Sequence, residues 1–321
     1  MQAIASAPGK TILFGEHSVV YGEPAIAGAV DKRAIVKIKN SNNNKTILRS
    51  FDLNFEAELN TQSKKYILKR GKPGIIRYIL EALNMFHDHS PIEITLSSNI
   101  PIGSGLGSSA AVTVATLAAL YRYHNIRFNK QSLANDAHKV EESVQGIASP
   151  LDTLVCTYGG LIYLSRRKTI ENLRINFNTP FVIGFTSKHG NTGKMVRDVR
   201  NLKDSNPKII NPLISAMGHL TNSGKVAILN NNISKIGELM NINHGLLDAL
   251  GVSTAELSRM VYLARKKGAV GAKITGAGGG GSIIALCPEN INDVAEEISK
   301  YDNILKTRFT RKGVSSKVKW Y

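Results

Sequence analysis

Three kinds of hydrophobic patterning run along this chain, and each predicts a different element. Residues 25–38 are rich in Val, Ile and Ala, and Ile35-Val-Lys-Ile-Lys39 alternates, so strands are predicted there. Between residues 74 and 87, Ile75, Ile76, Ile79, Leu80 and Leu83 recur at the spacing of one helix face. Ile92-Glu-Ile-Thr-Leu96 alternates again and reads as a strand. A glycine-rich turn over residues 101–107 leads into a largely apolar helix over 108–124. A further helix is predicted over 129–146, with Leu133, Ala137, Val140 and Val144 on one face. Gly159-Gly160 precedes a strand at 161–164, and after a pause at 176–180 comes an apolar strand at 181–185. Helical stretches follow over 207–251, and Ser253-Thr-Ala-Glu256 reads as a capping box for a helix stopped by Gly268. Strands at 269–274 and 282–286 flank a run of glycines. Asn40-Ser-Asn-Asn-Asn-Lys45 reads as a polar hairpin tip. Strands and helices mix without a regular βαβ rhythm, which favours the α+β class. The pause suggests two domains, 1–176 and 177–321.

Composition narrows the class. With 321 residues, 42% of them hydrophobic and 20% charged, the chain is globular and long enough for about two cores. Its two cysteines, Cys156 and Cys287, are far apart, which excludes a disulfide framework and a thiolate zinc site. Residues 1–8 lack a basic segment followed by an apolar one, so no secretory signal is expected. The most apolar stretch, 110–121, is shorter than the ~20 residues a membrane span needs. A soluble, cytoplasmic protein without a membrane partner is the expectation.

Charge widens the picture only slightly. Lys and Arg number 41 against 24 Asp and Glu, a net +17. Nucleic acid, an anionic surface or small anionic substrates would all suit that balance. Aromatic-interleaved, zinc-finger and basic-heptad patterns are missing, and clusters such as Lys306-Thr-Arg-Phe-Thr-Arg-Lys312 read as solvated surface. No nucleic-acid partner is expected; a field that draws in phosphorylated ligands is compatible with such a surface.

Candidate chemistry concentrates in three glycine-bearing segments. In Ala7-Pro-Gly-Lys-Thr-Ile-Leu-Phe-Gly-Glu-His-Ser-Val-Val-Tyr-Gly22, three polar groups stand in an apolar setting where burial without partners is costly. Lys10 is placed to reach an anion or a reacting hydroxyl, and Glu16 and His17 to grip a polar substrate; a strand and turn with solvated charges is the alternative. The second segment, Pro101-Ile-Gly-Ser-Gly-Leu-Gly-Ser-Ser-Ala-Ala111, lies between a strand and a helix. Its successive backbone N–H groups and the positive helix end make a phosphate cradle. It fits neither the Walker nor the dinucleotide pattern, because Ser108 stands where each needs glycine. In the third, Lys273-Ile-Thr-Gly-Ala-Gly-Gly-Gly-Gly281, the residues after the glycines are strand-like, so a dinucleotide fingerprint is rejected. A glycine turn remains, Gly278 included, able to bring backbone against a phosphate or substrate.

In order and spacing the three segments resemble the signature segments of the GHMP small-molecule kinases, from Ala7 to Leu286. Within that family, Glu16-His17 and Gly146-Ile-Ala-Ser-Pro-Leu-Asp152 are most similar to the mevalonate-phosphorylating branch in its compact archaeal form. The resemblance implies an S5-domain-2-like N-terminal domain, a ferredoxin-like C-terminal domain, and ATP and acceptor in the cleft between them. It implies ATP held by residues 101–111 (Pro101, Ile102, Gly103, Ser104, Gly105, Leu106, Gly107, Ser108, Ser109, Ala110 and Ala111), and Mg²⁺ held by Ser109 and Glu141. The helical pattern independently favours Glu141 over Glu142, since Glu141 stands four residues after Ala137 and three before Val144. By the same resemblance Asp152 is the catalytic carboxylate, a general base or an electrostatic orienter, with Lys10 alongside to stabilise a developing alkoxide. Substrate contacts are implied for Glu16, His17, Ser149 and Thr192, and mevalonate is the implied acceptor; the eukaryotic members differ from this chain at Gln145-Gly-Ile-Ala-Ser-Pro150. A homodimer is compatible with the pattern. The alternatives are another small alcohol as acceptor, or a non-catalytic relative that binds nucleic acid. His87 and His89 beside Asp88 read as exposed rather than metal-binding, and Cys156 as a buried small hydrophobe.

Overall fold

The computed structural model describes the chain except residues 43, 44, 61, 62, 64, 72, 73, 87, 89, 102, 103, 147, 148, 174–176, 188, 189 and 321. His87, His89, Ile102, Gly103 and the position 176 of the expected boundary therefore lie outside the described residues. The elements in order are β1 (Gln2–Phe14), a 3₁₀ turn (Ser18–Tyr21), β2 (Ala25–Asn40), β3 (Thr46–Ser50), β4 (Phe55–Asn60) and β5 (Lys65–Arg70). Next come α1 (Ile76–Leu83), β6 (Ile92–Ser98), α2 (Ser108–Tyr123), α3 (Lys130–Gln145), α4 (Pro150–Tyr158), β7 (Leu161–Leu164) and β8 (Ile170–Leu173). The second half holds β9 (Phe181–Phe185), α5 (Thr192–Ser205), α6 (Pro207–Leu229), α7 (Ile233–Ala249), α8 (Ala255–Lys266) and β10 (Gly271–Thr275). It closes with β11 (Ser282–Leu286), α9 (Ile291–Ser299), β12 (Asn303–Thr307) and β13 (Ser315–Lys319).

The first sheet runs β13-β1-β2-β6-β3-β4-β5, with β7 and β8 continuing from the opposite end of β2. Only the β3–β6 pair is parallel among the described residues. The long β2 serves two neighbours, pairing with β7 over residues 25–28 and with β6 over 34–40. Because β6 inserts between β2 and β3, the Asn-rich segment at 40–45 is no hairpin tip. Polarity marked a turn there, and local sequence carries no information about a strand that arrives later.

The β1–β2 register shifts between Pro8 and Gly9 and again between Ile12 and Phe14. Proline has no N–H for the ladder, so a bulge is where a strand tolerates it. These irregularities bracket Lys10. Against this sheet lies α2, buried throughout from Ala110 to Leu120. Its small Ala and Thr side chains let α1, α3 and α4 close around it, and a helix apolar on all sides belongs inside a core.

The second sheet is antiparallel in the order β10-β11-β9-β12. With α8 and α9 packed on it and β-α-β-β-α-β connectivity, it is ferredoxin-like, as expected. The helical stretch at 207–251 divides at Asn230–Asn232, where the Asn232 side chain accepts from Lys235 N to cap α7. Before α8 the cap is Thr254, accepting from Leu257 N, while Ser253 bonds Ser258 rather than completing a capping box. The last strand, β13, returns to the first sheet, with Gln2 opposite Lys319 and Ser6 opposite Ser315. By its pairing, then, the tail joins the N-terminal sheet, whereas the sequence pattern grouped 177–321 together.

Candidate active site

The three glycine-bearing segments meet at the junction of the two sheets. The backbone N–H of Lys10 donates to Leu106 O at 2.8 Å, joining the first segment to the second. The hydroxyl of Ser282 donates to Ser104 O, joining the second to the strand after the third. His17 Nε2 lies 2.9 Å from Ala277 O, and Thr275 Oγ1 donates to Ile12 O at 2.9 Å, joining the third to the first.

The ribbon ahead of α2 is built for close approach. Gly105 and Gly107 hold φ of +65° and +63°, a region that L side chains rarely adopt. A Cβ on Gly107 would lie 2.8 Å from Lys10 Cγ, so the absent side chain there makes room for the lysine stem. No side chain caps α2, which leaves its first N–H groups free for an anion. Ser108 and Ser109 are half-buried at that end, while Ser104, Leu106, Ala110 and Ala111 are buried.

Beneath the ribbon Lys10 Nζ is 2.9 Å from Asp152 Oδ1, with the side chains 7% and 27% exposed. The carboxylate therefore keeps an open side. Asp152 stands in the first turn of α4, where the helix dipole favours negative charge. Ser149, for which the resemblance implies a substrate contact, caps this helix: its Oγ accepts from Leu151 N at 3.3 Å. That cap fixes where Asp152 emerges from a helix that starts at Pro150.

Glu141 is 3% exposed, whereas Glu142 lies on the outer face of α3 beside His138. Ser109 Oγ donates to Glu141 Oε2 at 3.2 Å, Thr113 Oγ1 to Oε1 at 3.2 Å and Gln145 Nε2 to Oε2 at 2.6 Å. All three donors are neutral. Burial, with the Asp152 charge second, pushes the Glu141 carboxyl up to about 7 despite them. A buried carboxylate surrounded by neutral donors and a serine hydroxyl is a hard-oxygen pair that suits a divalent cation such as Mg²⁺, which takes few protein ligands. Among the described residues no group of three or more His, Cys, Asp or Glu is arranged to hold a metal ion.

Glu16 is turned inward. Lys273 Nζ donates to its Oε1 and Asn243 Nδ2 to its Oε2 at 3.2 Å. His17 is buried at φ +60°, and burial holds its imidazole below the ordinary range, so it is neutral near pH 7. Gly278, at φ +74°, has space for no side chain, since a Cβ would meet Val252 O at 2.1 Å. Thr192 is exposed at the start of α5, where Asn191 caps the helix by accepting from Lys194 N at 2.9 Å. Its neighbour Gly190 abuts Gly278 O, so this helix end borders the third glycine loop without joining the Lys10–Asp152 pair. Cys156 is fully buried with its thiol pushed up by burial.

Sequence reasoning missed Thr113, Gln145, Tyr78, Asn243 and Lys273. Thr113 stands four residues after Ser109 and Gln145 four after Glu141, so helical spacing was a usable signal. The tyrosine on α1 reaches the Ser109–Gln145 group, and burial raises its phenol above the ordinary range. On α7, His244 is held down to about 4 by burial first, then by the charges of Arg265 and Lys273. As pH falls, the unfolded chain, titrating near 6.5, takes up this proton before the folded one. The stability that His244 contributes should therefore decline from about 6.5 down to about 4, opposed by Glu141, whose raised carboxyl binds its proton first in the folded chain, and His244→Gln should remove the His244 part of the slope in denaturant melts. An unchanged slope would assign the acid sensitivity elsewhere.

A phosphate cradle, a buried hard-oxygen pair and a lysine-bound carboxylate at one junction are the parts of a small-molecule phosphotransferase. Residues 73–160 match the GHMP kinases N terminal domain and residues 225–303 match GHMP kinases C terminal, so the chain belongs to the GHMP kinase family. The mevalonate kinase of Methanothermobacter thermautotrophicus is 43% identical over 314 residues, covering 98% of this chain and 100% of that protein. The mevalonate kinase of Thermococcus sibiricus is 40% identical over 328 residues, covering 98% of each. The crystal structure of the Methanococcus jannaschii mevalonate kinase superposes with a TM-score of 0.83 at 31% identity, over 96% of this chain and 98% of that one.

Proposed function

We infer that this chain moves the γ-phosphoryl group of ATP to the C5 hydroxyl of mevalonate, giving 5-phosphomevalonate and ADP. The observation that carries the reading is the 2.9 Å Lys10–Asp152 pair directly under the N-terminus of α2, in a chain about as similar to the two mevalonate kinases above as 40% and 43% identity. The free N–H groups of α2 and the ribbon at 104–109 hold the phosphates by charge and close backbone approach. Ser109 and Glu141 would hold Mg²⁺, which when bound offsets the negative charge of the phosphates. Asp152 takes the proton of the C5 hydroxyl at its carboxylate, and Lys10 stabilises the alkoxide that develops. Gly278, Thr192 and His17 line the acceptor side; the roles of Glu16 and Ser149 are to hold that side in shape.

The test is a panel of acceptors in an ADP-release assay: mevalonate, phosphomevalonate, homoserine and galactose. Mevalonate should be turned over with the highest kcat/KM, and no turnover of mevalonate beside brisk turnover of another alcohol would overturn the reading. Glu141→Gln keeps the shape but removes the charge and replaces one accepting oxygen by a donating nitrogen, so it should raise the Mg²⁺ concentration needed for half-maximal rate. An unchanged Mg²⁺ dependence would move the ligand to another residue. No helix among the described residues is long and apolar enough to cross a membrane.

A further inference from the structure

Lys273 is the largest charged side chain with no exposed surface among the described residues. It stands in β10 between Ala272 and Ile274, at the edge of the second sheet, and its partner Glu16, 1% exposed, belongs to the turn after β1. Besides Glu16, its ammonium donates to Ile274 O at 2.7 Å. The second Glu16 oxygen is taken by Asn243, itself wholly buried on α7. Each carboxylate oxygen thus accepts from a protein donor.

The setting of this contact is rigid. A Cβ on Gly237 of α7 would lie 2.4 Å from Val270 O, so helix and strand approach as closely as backbones allow. Asn241 completes the edge of β10, accepting from Ala272 N at 3.0 Å. Lys273 and Asn243 are therefore fixed with respect to each other. The turn they hold is strained at His17, which has φ +60°, and Gly15, with φ +98°, supplies the freedom the turn needs on the other side of Glu16. A backbone of that kind persists only where its surroundings over-determine it. Two charges withdrawn from water are a poor source of net stability, but losing one partner strands the other. Such a pair is well suited to fixing one geometry.

We propose that Lys273 is a positioning residue for the acceptor half of the site, fixing the Gly15–His17 turn through its buried pair with Glu16. The proposal rests on the phosphotransfer reading above. His17 is anchored by the same turn to Ala277 of the third loop, whereas the nucleotide ribbon is tied independently, through Leu106 to Lys10 and through Ser104 to Ser282. Loss of the pair should therefore be felt by mevalonate and not by nucleotide.

The experiment is a double-mutant cycle of Lys273→Met and Glu16→Gln, with Lys273→Arg as the conservative variant. It is read as KM for mevalonate, KM for ATP, kcat, and direct binding of an ATP analogue. Misplacement of the turn should raise the mevalonate KM by roughly 10- to 100-fold, leave nucleotide affinity unchanged, and be partly relieved by arginine. The double variant should lose no more than the worse single one, because both remove the same contact. Losses that multiply, mevalonate and ATP constants that rise together, or constants that do not move would each overturn the proposal. Should Lys273→Met fail to fold, Glu16→Gln alone decides: a mevalonate KM that does not rise, or an ATP constant that rises with it, overturns the proposal. Wild-type enzyme that ignores mevalonate but phosphorylates another acceptor would refute the acceptor assignment alone, and the cycle read on that acceptor still decides Lys273.

Discussion

Asp152→Asn is expected to lower kcat by roughly 10²- to 10⁴-fold while an ATP analogue binds as before. The substitution keeps the size and the place in the first turn of α4 but removes the acceptor of the hydroxyl proton and the negative charge opposite Lys10. Nothing in the cradle depends on this carboxylate, since residues 104–109 are tied through Leu106 O and Ser104 O. The loss should fall on kcat and kcat/KM equally, the mark of an interaction made in the transition state. Rapid-quench measurement of the first turnover separates this chemistry from product release. A variant with near wild-type turnover would remove Asp152 from the reaction.

Lys10→Met should cost roughly 10²- to 10³-fold in kcat, the scale seen when a preorganised charge is removed from a developing oxyanion. Methionine retains much of the aliphatic stem that packs under Gly107, so the fold should survive. Lys10→Arg should not restore the rate, because a planar guanidinium presents its donors in a fixed fork and cannot take the place of the compact ammonium 2.9 Å from Asp152 Oδ1. Full rescue by arginine would show that any cation suffices there. Circular dichroism and melting of each variant distinguish lost chemistry from lost structure.

The sequence was most legible where one local pattern decides the outcome. The expected strands at 161–164 and 282–286 match β7 and β11, and the helix expected over 129–146 is α3 between its Asn129 and Gly146 caps. The α3 periodicity also turned Glu141 inward and Glu142 outward, as it should when a 3.6-residue repeat meets one buried face. Pairings between distant strands were not legible. The insertion of β6 between β2 and β3, and the return of β13 to β1, depend on contacts that no window of neighbouring residues contains.

The site divides in the same way. Lys10, Ser109, Glu141 and Asp152 sit in segments whose glycines and helix starts mark them, and Lys10 meets Asp152 as Ser109 meets Glu141. The partners of Glu16 were hidden, because Lys273 lies 257 residues further along and a lone lysine between Ala272 and Ile274 gives no hint of its direction. The capping role of Ser149 was hidden for want of a helix boundary; with α4 starting at Pro150, its hydroxyl serves as the cap.

The most direct measurement is a crystal structure with a non-hydrolysable ATP analogue and mevalonate bound together. The account predicts the terminal phosphate against the first turn of α2 and the C5 oxygen about 2.6–3.2 Å from the Asp152 carboxylate, with the Lys10 ammonium touching both. A nucleotide seated away from residues 104–109, or a C5 oxygen that faces neither Asp152 nor Lys10, would contradict it.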